Sequence, residues 1–242
     1  MAVKQSKNSK FVYSGRENLE AMKEAKNYNA YLIGLVKQVL KNVPTKKARI
    51  LDFGAGAGTY ADILRKKGIN VECLEPDNVS RKSLKKKGYK TIIDSKKLKP
   101  NTYDLIYTFN VLEHIKNDKE VMRELTSSLK KEGAIVIYVP AFDYLFSSMD
   151  KLVGHFRRYN LDTLKKYSKK NKLKIIKLGY CDPLGFFVTL LYKLVGNKRG
   201  IISKSNVKFY DKYIFPISRF LEPATRNIFG KNAVLIGKED ID

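Results

Sequence analysis

Short apolar runs alternate with longer segments in which apolar residues recur every three or four positions. Runs at 50–53, 70–74, 89–93, 103–109, 134–139, 173–178 (continuing into Tyr180-Cys181) and 233–236 predict buried strands. From 17 to 43 the apolar positions Leu19, Met22, Leu32, Ile33, Val36, Val39, Leu40 and Val43 have helical spacing, with a split expected at Asn27-Tyr28-Asn29 and an end at Pro44. Further helices are predicted at 60–67, at 79–87 (closed by Gly88), after Asp118 as N-cap, with the stripe Val121, Met122, Leu125 and Leu129, and at 161–169. Strand–helix alternation predicts an α/β fold, a doubly wound, seven-stranded, mostly parallel sheet. Residues 182–230 are too many for a hairpin, so they predict a helical insertion between the last two strands. Its helices are expected at 186–195 and 207–221, the second kinked at Pro216. The expected organisation is one domain: N-terminal helices 17–43, a core over 48–181, an insertion or lid over 182–230 and a last strand at 231–238. Residues 1–16 read as a mobile arm.

Composition fits this picture. The 242 residues are 43% hydrophobic, with 15 Tyr and 12 Phe, enough for a substantial core. The polar, lysine-rich start, 1–10, argues against a secretory signal. The longest apolar run, 184–195, contains Lys193 and falls short of the roughly 20 residues that a membrane-spanning helix needs. A cytoplasmic protein is expected, with peripheral membrane contact through 182–221 as one option. Cys73 and Cys181 lie in strand-like runs without metal-ligand spacing and read as buried free thiols. No metal ligands are assigned. The formal charge of +24 favours anionic partners such as nucleic acid, anionic lipid or phosphorylated substrates. Lysines spread over solvated faces are the plainer explanation.

The chemistry centres on Asp52-Phe53-Gly54-Ala55-Gly56-Ala57-Gly58, between the first strand and a helix. Glycines let the backbone approach a ligand and supply positive φ. The pattern departs from G-x-G-x-x-G, because Thr59 stands at the third glycine position. A carboxylate at Asp52 would repel a pyrophosphate and suits an ammonium group. Glu75 (followed by Pro76), ending strand two, is placed to accept ribose hydroxyls, and Asp94 (followed by Ser95), ending strand three, to accept from an adenine amino group. Together these describe S-adenosylmethionine.

These elements, with Phe109-Asn110-Val111-Leu112-Glu113-His114 after strand four, resemble class I S-adenosylmethionine-dependent methyltransferases of the type 11, 12 and 23 small-molecule branch. The resemblance spans roughly 30–180 and the last strand. Lys130-Lys131-Glu132-Gly133 departs from the family's Lys-Pro-Gly-Gly in a turn expected to be remote from the ligand. The resemblance implies a Rossmann-like sheet, and cofactor contacts from Asp52, Gly54, Ala55, Gly56, Gly58, Glu75, Pro76, Asp94, Ser95, Asn110 and Val111. The segment Gly154-His155-Phe156-Arg157-Arg158-Tyr159 resembles a subgroup associated with cell-surface glycan or lipid biosynthesis.

For the acceptor site, His114 and His155 both fall in loops at the ligand face, and a histidine suits general-base chemistry on a hydroxyl. Arg157, Arg158 and Tyr159 complete the candidate set, with one arginine expected to be structural and one to face substrate. The expected activity is methyl transfer, at oxygen, to a small-molecule, glycan or lipid-linked acceptor. The alternatives are RNA methylation, or non-catalytic cofactor binding at a membrane surface. Against RNA, no Pro-Pro-aromatic motif follows strand four and neither cysteine lies in a loop.

Overall fold

The computed structural model describes residues 20–41, 43, 47–195 and 203–239; the arm expected over 1–16 lies outside them. Seven strands form one sheet: β1 (Ile50–Phe53), β2 (Glu72–Leu74), β3 (Thr91–Ile92), β4 (Tyr103–Phe109), β5 (Leu129–Pro140), β6 (Leu173–Cys181) and β7 (Asn232–Glu239). Their spatial order is β3-β2-β1-β4-β5-β7-β6, with β7 antiparallel to both neighbours and the other pairings parallel.

Alternation along the strands splits the core between the two faces. Ile50, Leu105, Tyr107, Val136 and Val234 pack with Leu32 and Val36 of α1 (Lys26–Leu40), Leu64 of α2 (Thr59–Arg65) and Leu84 of α3 (Asn78–Lys86). Leu51, Ile106, Ile135, Ile137 and Leu235 pack with Met122 and Leu125 of α4 (Asp118–Ser127) and Leu164 of α6 (Leu161–Lys170), while α5 (Ser148–Val153) lies in the loop after β5. Helices thus cover both faces, as doubly wound sheets require. Both cysteines are free and buried. No helix among the described residues is long and apolar enough to cross a membrane.

The insertion holds α7 (Pro183–Val195), α8 (Lys204–Phe209), a π turn at Tyr210–Ile214 and α9 (Phe215–Thr225). Cys181, at the end of β6, pairs with Asn232, at the start of β7, so the insertion leaves and returns at the same sheet edge. That edge also carries the carboxyl end of β5, where Pro140 pairs with Asn232. The structure places a π turn just before Pro216, where a kink was expected. Proline has no N–H to offer the carbonyl four residues back, and a wider turn accommodates the gap.

Two local expectations change for stated reasons. Asp118 is the first residue of α4, not its cap; Asn117 precedes it without a side-chain cap, and Asp118 is buried. The N-terminal break falls at Lys23–Ala25, and Asn27–Asn29 form the first turn of α1. Ala25 cannot cap that helix; the insertion supplies the cap. Asp211, in the π turn, accepts from the N–H groups of Asn27 at 2.9 Å and Tyr28 at 2.8 Å. Its own carbonyl accepts from Asn27 Nδ2 at 2.8 Å. Asp211→Ala removes this cap and is expected to destabilise the protein by about 1–3 kcal/mol, measured as a lower urea midpoint at unchanged slope.

Candidate active site

The carboxyl ends of β1, β2, β3, β4 and β5 open into one cavity of about 1270 Å³, roofed by α1 and the insertion. On its first side lies the glycine turn. The N–H groups of Gly54 and Ala55 both donate to Leu74 O, at 2.9 and 3.0 Å, and this ties the turn to β2. Gly54 has φ +79°, and a Cβ there would lie 2.4 Å from Val111 Cγ2. No other residue fits that position without displacing Val111. Gly58 (φ +82°) does not line the cavity; it opens α2 and packs against Leu84 of α3.

Glu75 holds the turn from the next strand. Its Oε2 accepts from Gly56 N at 2.7 Å and its Oε1 from Asp77 N at 2.8 Å. Each oxygen keeps a lone pair for a ligand hydroxyl. Burial raises the Glu75 pKa, opposed by these backbone N–H groups. Ala55, Gly56, Pro76, Asp94 and Ser95 line the same side. Asp94 is exposed, and its Oδ1 accepts from Lys96 N. Asn110, in the left-handed region at φ +53°, lines the wall with Val111 and donates from Nδ2 to Tyr28 Oη at 3.2 Å.

Asp52 is placed differently from the expectation. It does not line the cavity; it is buried behind the turn, beside Tyr107 and Tyr60, with Oδ2 unpartnered. Burial pushes its carboxyl up to about 7; the Tyr107 hydroxyl opposes the rise and the Glu75 charge adds to it.

On the other side of the cavity lies a cluster around Asp150. Asp150 is 2% exposed, with Oδ1 2.7 Å from His155 Nδ1. Arg158 donates to it from Nε at 3.0 Å and Nη2 at 3.1 Å, and Ser147 N at 2.9 Å. Burial alone would raise this carboxyl, but His155 and Arg158 outweigh it and hold Asp150 well below the usual carboxylate range. His155 Nε2 then faces Glu113 Oε1 at 3.9 Å. Glu113, in the 3-10 turn Leu112–His114, is fully buried with no hydrogen-bond partner for either oxygen among the described residues, and burial pushes it up to about 8. The rings of His114 and His155 meet edge to face, with centroids 4.5 Å apart. Burial first and then His155 pull His114 down to about 4. His114, His155, Glu113, Asp150 and Arg158 all line the cavity.

Arg157 and Tyr159 do not line it. Arg157 bonds Asp118 and, at 2.7 Å, Lys116 O. Tyr159 and Tyr167 donate their hydroxyls to Asp118 Oδ2, at 2.8 and 2.5 Å. Half-buried Arg157 and buried Tyr159 therefore brace the loop through Asp118, and Arg158 is the arginine at the cavity. Sequence reading missed Asp182 and Lys231, which also line it. Asp182 ends β6 as Glu75 and Asp94 follow their strands, so the strand-end rule could have found it. Its Oδ1 accepts from Gly185 N, Tyr210 Oη and Ser218 Oγ, joining the start of the insertion to its later helices.

A sheet in this order, with a glycine turn at the end of β1 and an acid at the end of β2, has the fold of the class I S-adenosylmethionine-dependent methyltransferases. The chain belongs to the type 23 methyltransferase domain family, whose profile matches residues 25–178. No curated protein matches the chain. Among solved structures it is similar to an S-adenosylmethionine-dependent methyltransferase from Archaeoglobus fulgidus, with TM-score 0.53 and 20% identity over 85% of this chain and 94% of that one. It is also similar to Haemonchus contortus phosphoethanolamine N-methyltransferase 2 in complex with S-adenosyl-L-methionine, with TM-score 0.57 and 16% identity over 87% of this chain and 52% of that one. A third is the [4+2]-cyclase SpnF, with TM-score 0.55 and 15% identity over 86% and 81%. At such identities the likeness is one of fold.

The cavity's first side fits the cofactor. Gly54 at φ +79° lets the turn pack against Val111 while Gly54, Ala55, Gly56 and Ala57 line the cavity, and Glu75 keeps free lone pairs at the strand end. S-adenosylhomocysteine is expected to raise the melting temperature where NAD does not, and Glu75→Ala to weaken its binding at least about tenfold, read by thermal shift and calorimetry.

Asp52 sets a pH dependence. Its folded pKa of about 7 lies above the ordinary value near 3.9, so the folded state binds the extra proton. The stability it contributes is complete below pH 4 and is lost as pH rises through 7. Asp52→Asn is expected to be more stable than wild type by about 2–4 kcal/mol at pH 8 and equal to it at pH 4, by urea unfolding of the apo protein.

Proposed function

We propose that this enzyme methylates a hydroxyl oxygen of a small-molecule, glycan or lipid-linked acceptor. The observation behind this reading is that the glycine turn and the Asp150–His155 pair open on one cavity. Bound S-adenosylmethionine supplies a methyl group already activated by its sulfonium. The chain's own work is alignment, exclusion of water and handling of a proton. Asp150 fixes Nδ1 of His155, which leaves Nε2 to accept the acceptor's hydrogen bond. As the O–CH3 bond forms and the S–CH3 bond breaks, the hydroxyl proton passes to Nε2. Arg158, spent on Asp150, orders the loop. Lys116 and Lys231 give the same cavity cationic groups suited to an anionic part of the acceptor.

The rim supports an acceptor with an apolar tail. Val188, Thr189 and Tyr192 of α7 line the cavity, while Phe187, Leu191 and Leu194 of the same helix face solvent. Phe209, Tyr213, Ile217 and Phe220 continue an exposed apolar stripe through the π turn and α9. Lysines and arginines accompany it, an arrangement suited to peripheral contact with an anionic lipid surface.

Incubation with labelled S-adenosylmethionine and fractionated lysate is expected to label the lipid or lipid-linked glycan fraction. His155→Ala should reduce transfer by about 100-fold without changing the thermal shift from S-adenosylhomocysteine. Label confined to RNA would replace this reading.

A further inference from the structure

A histidine base held by Asp150 leaves the state of Glu113 unexplained. Its carboxylate is fully buried, lines the cavity and has no hydrogen-bond partner on either oxygen among the described residues. Burying a polar group without a partner is costly, and native structures rarely retain one without a use. Beside it stand two imidazoles. One ligand atom each from Glu113, His114 and His155 lies within 4.8 Å of the others.

We infer that Glu113, His114 and His155 bind a divalent transition-metal cation at the acceptor end of the cavity, with the acceptor's oxygen completing its coordination. The inference rests on the proposed acceptor site and deepens it.

Four features carry it. Metal–ligand bonds of about 2.0–2.2 Å put ligand atoms roughly 3.4 Å apart in a tetrahedral site, so side-chain atoms within 4.8 Å of one another close by at most about 1.4 Å on the ion. His155 has its Nδ1 on Asp150 and its Nε2 toward Glu113, the outer-carboxylate arrangement that orients metal-bound imidazoles. His114 is oriented from its other side by the backbone of Val153 and Gly154. The two loops are tied together, because Phe156 N donates to Glu113 O at 2.7 Å. Three protein ligands around a cavity leave the open position that catalytic metal sites keep. Two imidazoles and one carboxylate suit zinc, manganese or ferrous iron rather than calcium or magnesium. With the ion in place, Nε2 would ligate it in place of the base role given to it above, and the ion would hold the acceptor oxygen that Nε2 otherwise hydrogen-bonds. The O–CH3 bond forms, the S–CH3 bond breaks, and the proton of the ion-bound hydroxyl leaves to solvent.

The test uses the full chain stripped with EDTA and dialysed, then titrated with Co2+ and followed by visible d–d absorption. One site per chain is expected. Glu113→Gln keeps the size of the side chain and His155→Ala removes a ligand; each should weaken Co2+ at least about 100-fold while the thermal shift from S-adenosylhomocysteine persists. Restoration by Zn2+ or Mn2+ of methyl transfer lost on EDTA treatment supports coordination of the acceptor. A wild type that gives no Co2+ bands, or bands unchanged in both variants, overturns the site. Co2+ binding with EDTA-insensitive transfer overturns the acceptor's place on the ion. Absence of any methyl transfer would count against the proposed function alone, because the absorption reads the ion without turnover.

Discussion

The reversal of strand order between β1 and β4 is the constraint on which this molecule depends. From β1 the sheet grows outward to β2 and β3; from β4 it grows the other way, to β5. The chain after β1 and the chain after β4 therefore part at the carboxyl edge, and a crevice opens between them. The glycine turn and the Asn110–Val111 corner form its walls, touching where Gly54 meets Val111. The antiparallel β7 adds the second constraint. It brings the insertion back beside β5, so its helices can only lie over the same edge.

Buried carboxylates hold the loops and helices around that crevice in place. Asp211 caps α1 from the insertion, Asp182 gathers the insertion's helices, Asp118 collects Arg157 and two tyrosines, and Asp150 gathers His155 and Arg158. In a chain with 48 basic and 24 acidic residues, acids placed inside leave the surface still more positive. Internal acids order the loops, and external lysines favour anionic surroundings. Glu113 differs from these carboxylates in having no hydrogen-bond partner among the described residues, with His155 Nε2 nearby at 3.9 Å. Asp52 differs too, its unpartnered oxygen lying behind the glycine turn.

Much of this was legible in the residues because strands and their ends obey local rules. Alternating apolar runs marked the sheet, and the glycine turn with Glu75 and Asp94 marked residues that line one side of the cavity. Long-range geometry was not legible. Nothing near Asp118 told that it would collect Tyr159 and Tyr167 rather than cap a helix, because those partners come from a later loop and α6. Arg157 and Arg158 are adjacent in sequence, and only the fold sends one to Asp118 and the other to Asp150. Asp52 looked like a ligand contact because a strand-end acid usually is one; its side chain turns to the face packed by Tyr60 and Tyr107. The trans cap from Asp211 crosses 184 positions of sequence to Asn27, beyond any local pattern.

The central claim is that one cavity joins the methyl donor on the glycine turn to the acceptor at the histidine cluster. A crystal structure with S-adenosylhomocysteine tests it most directly. The account predicts ribose hydroxyls on Glu75, backbone contacts from Gly54 to Ala57, and the sulfur directed toward His155 and Glu113. A sulfur directed away from that cluster, or a ligand bound elsewhere on the sheet, would contradict it.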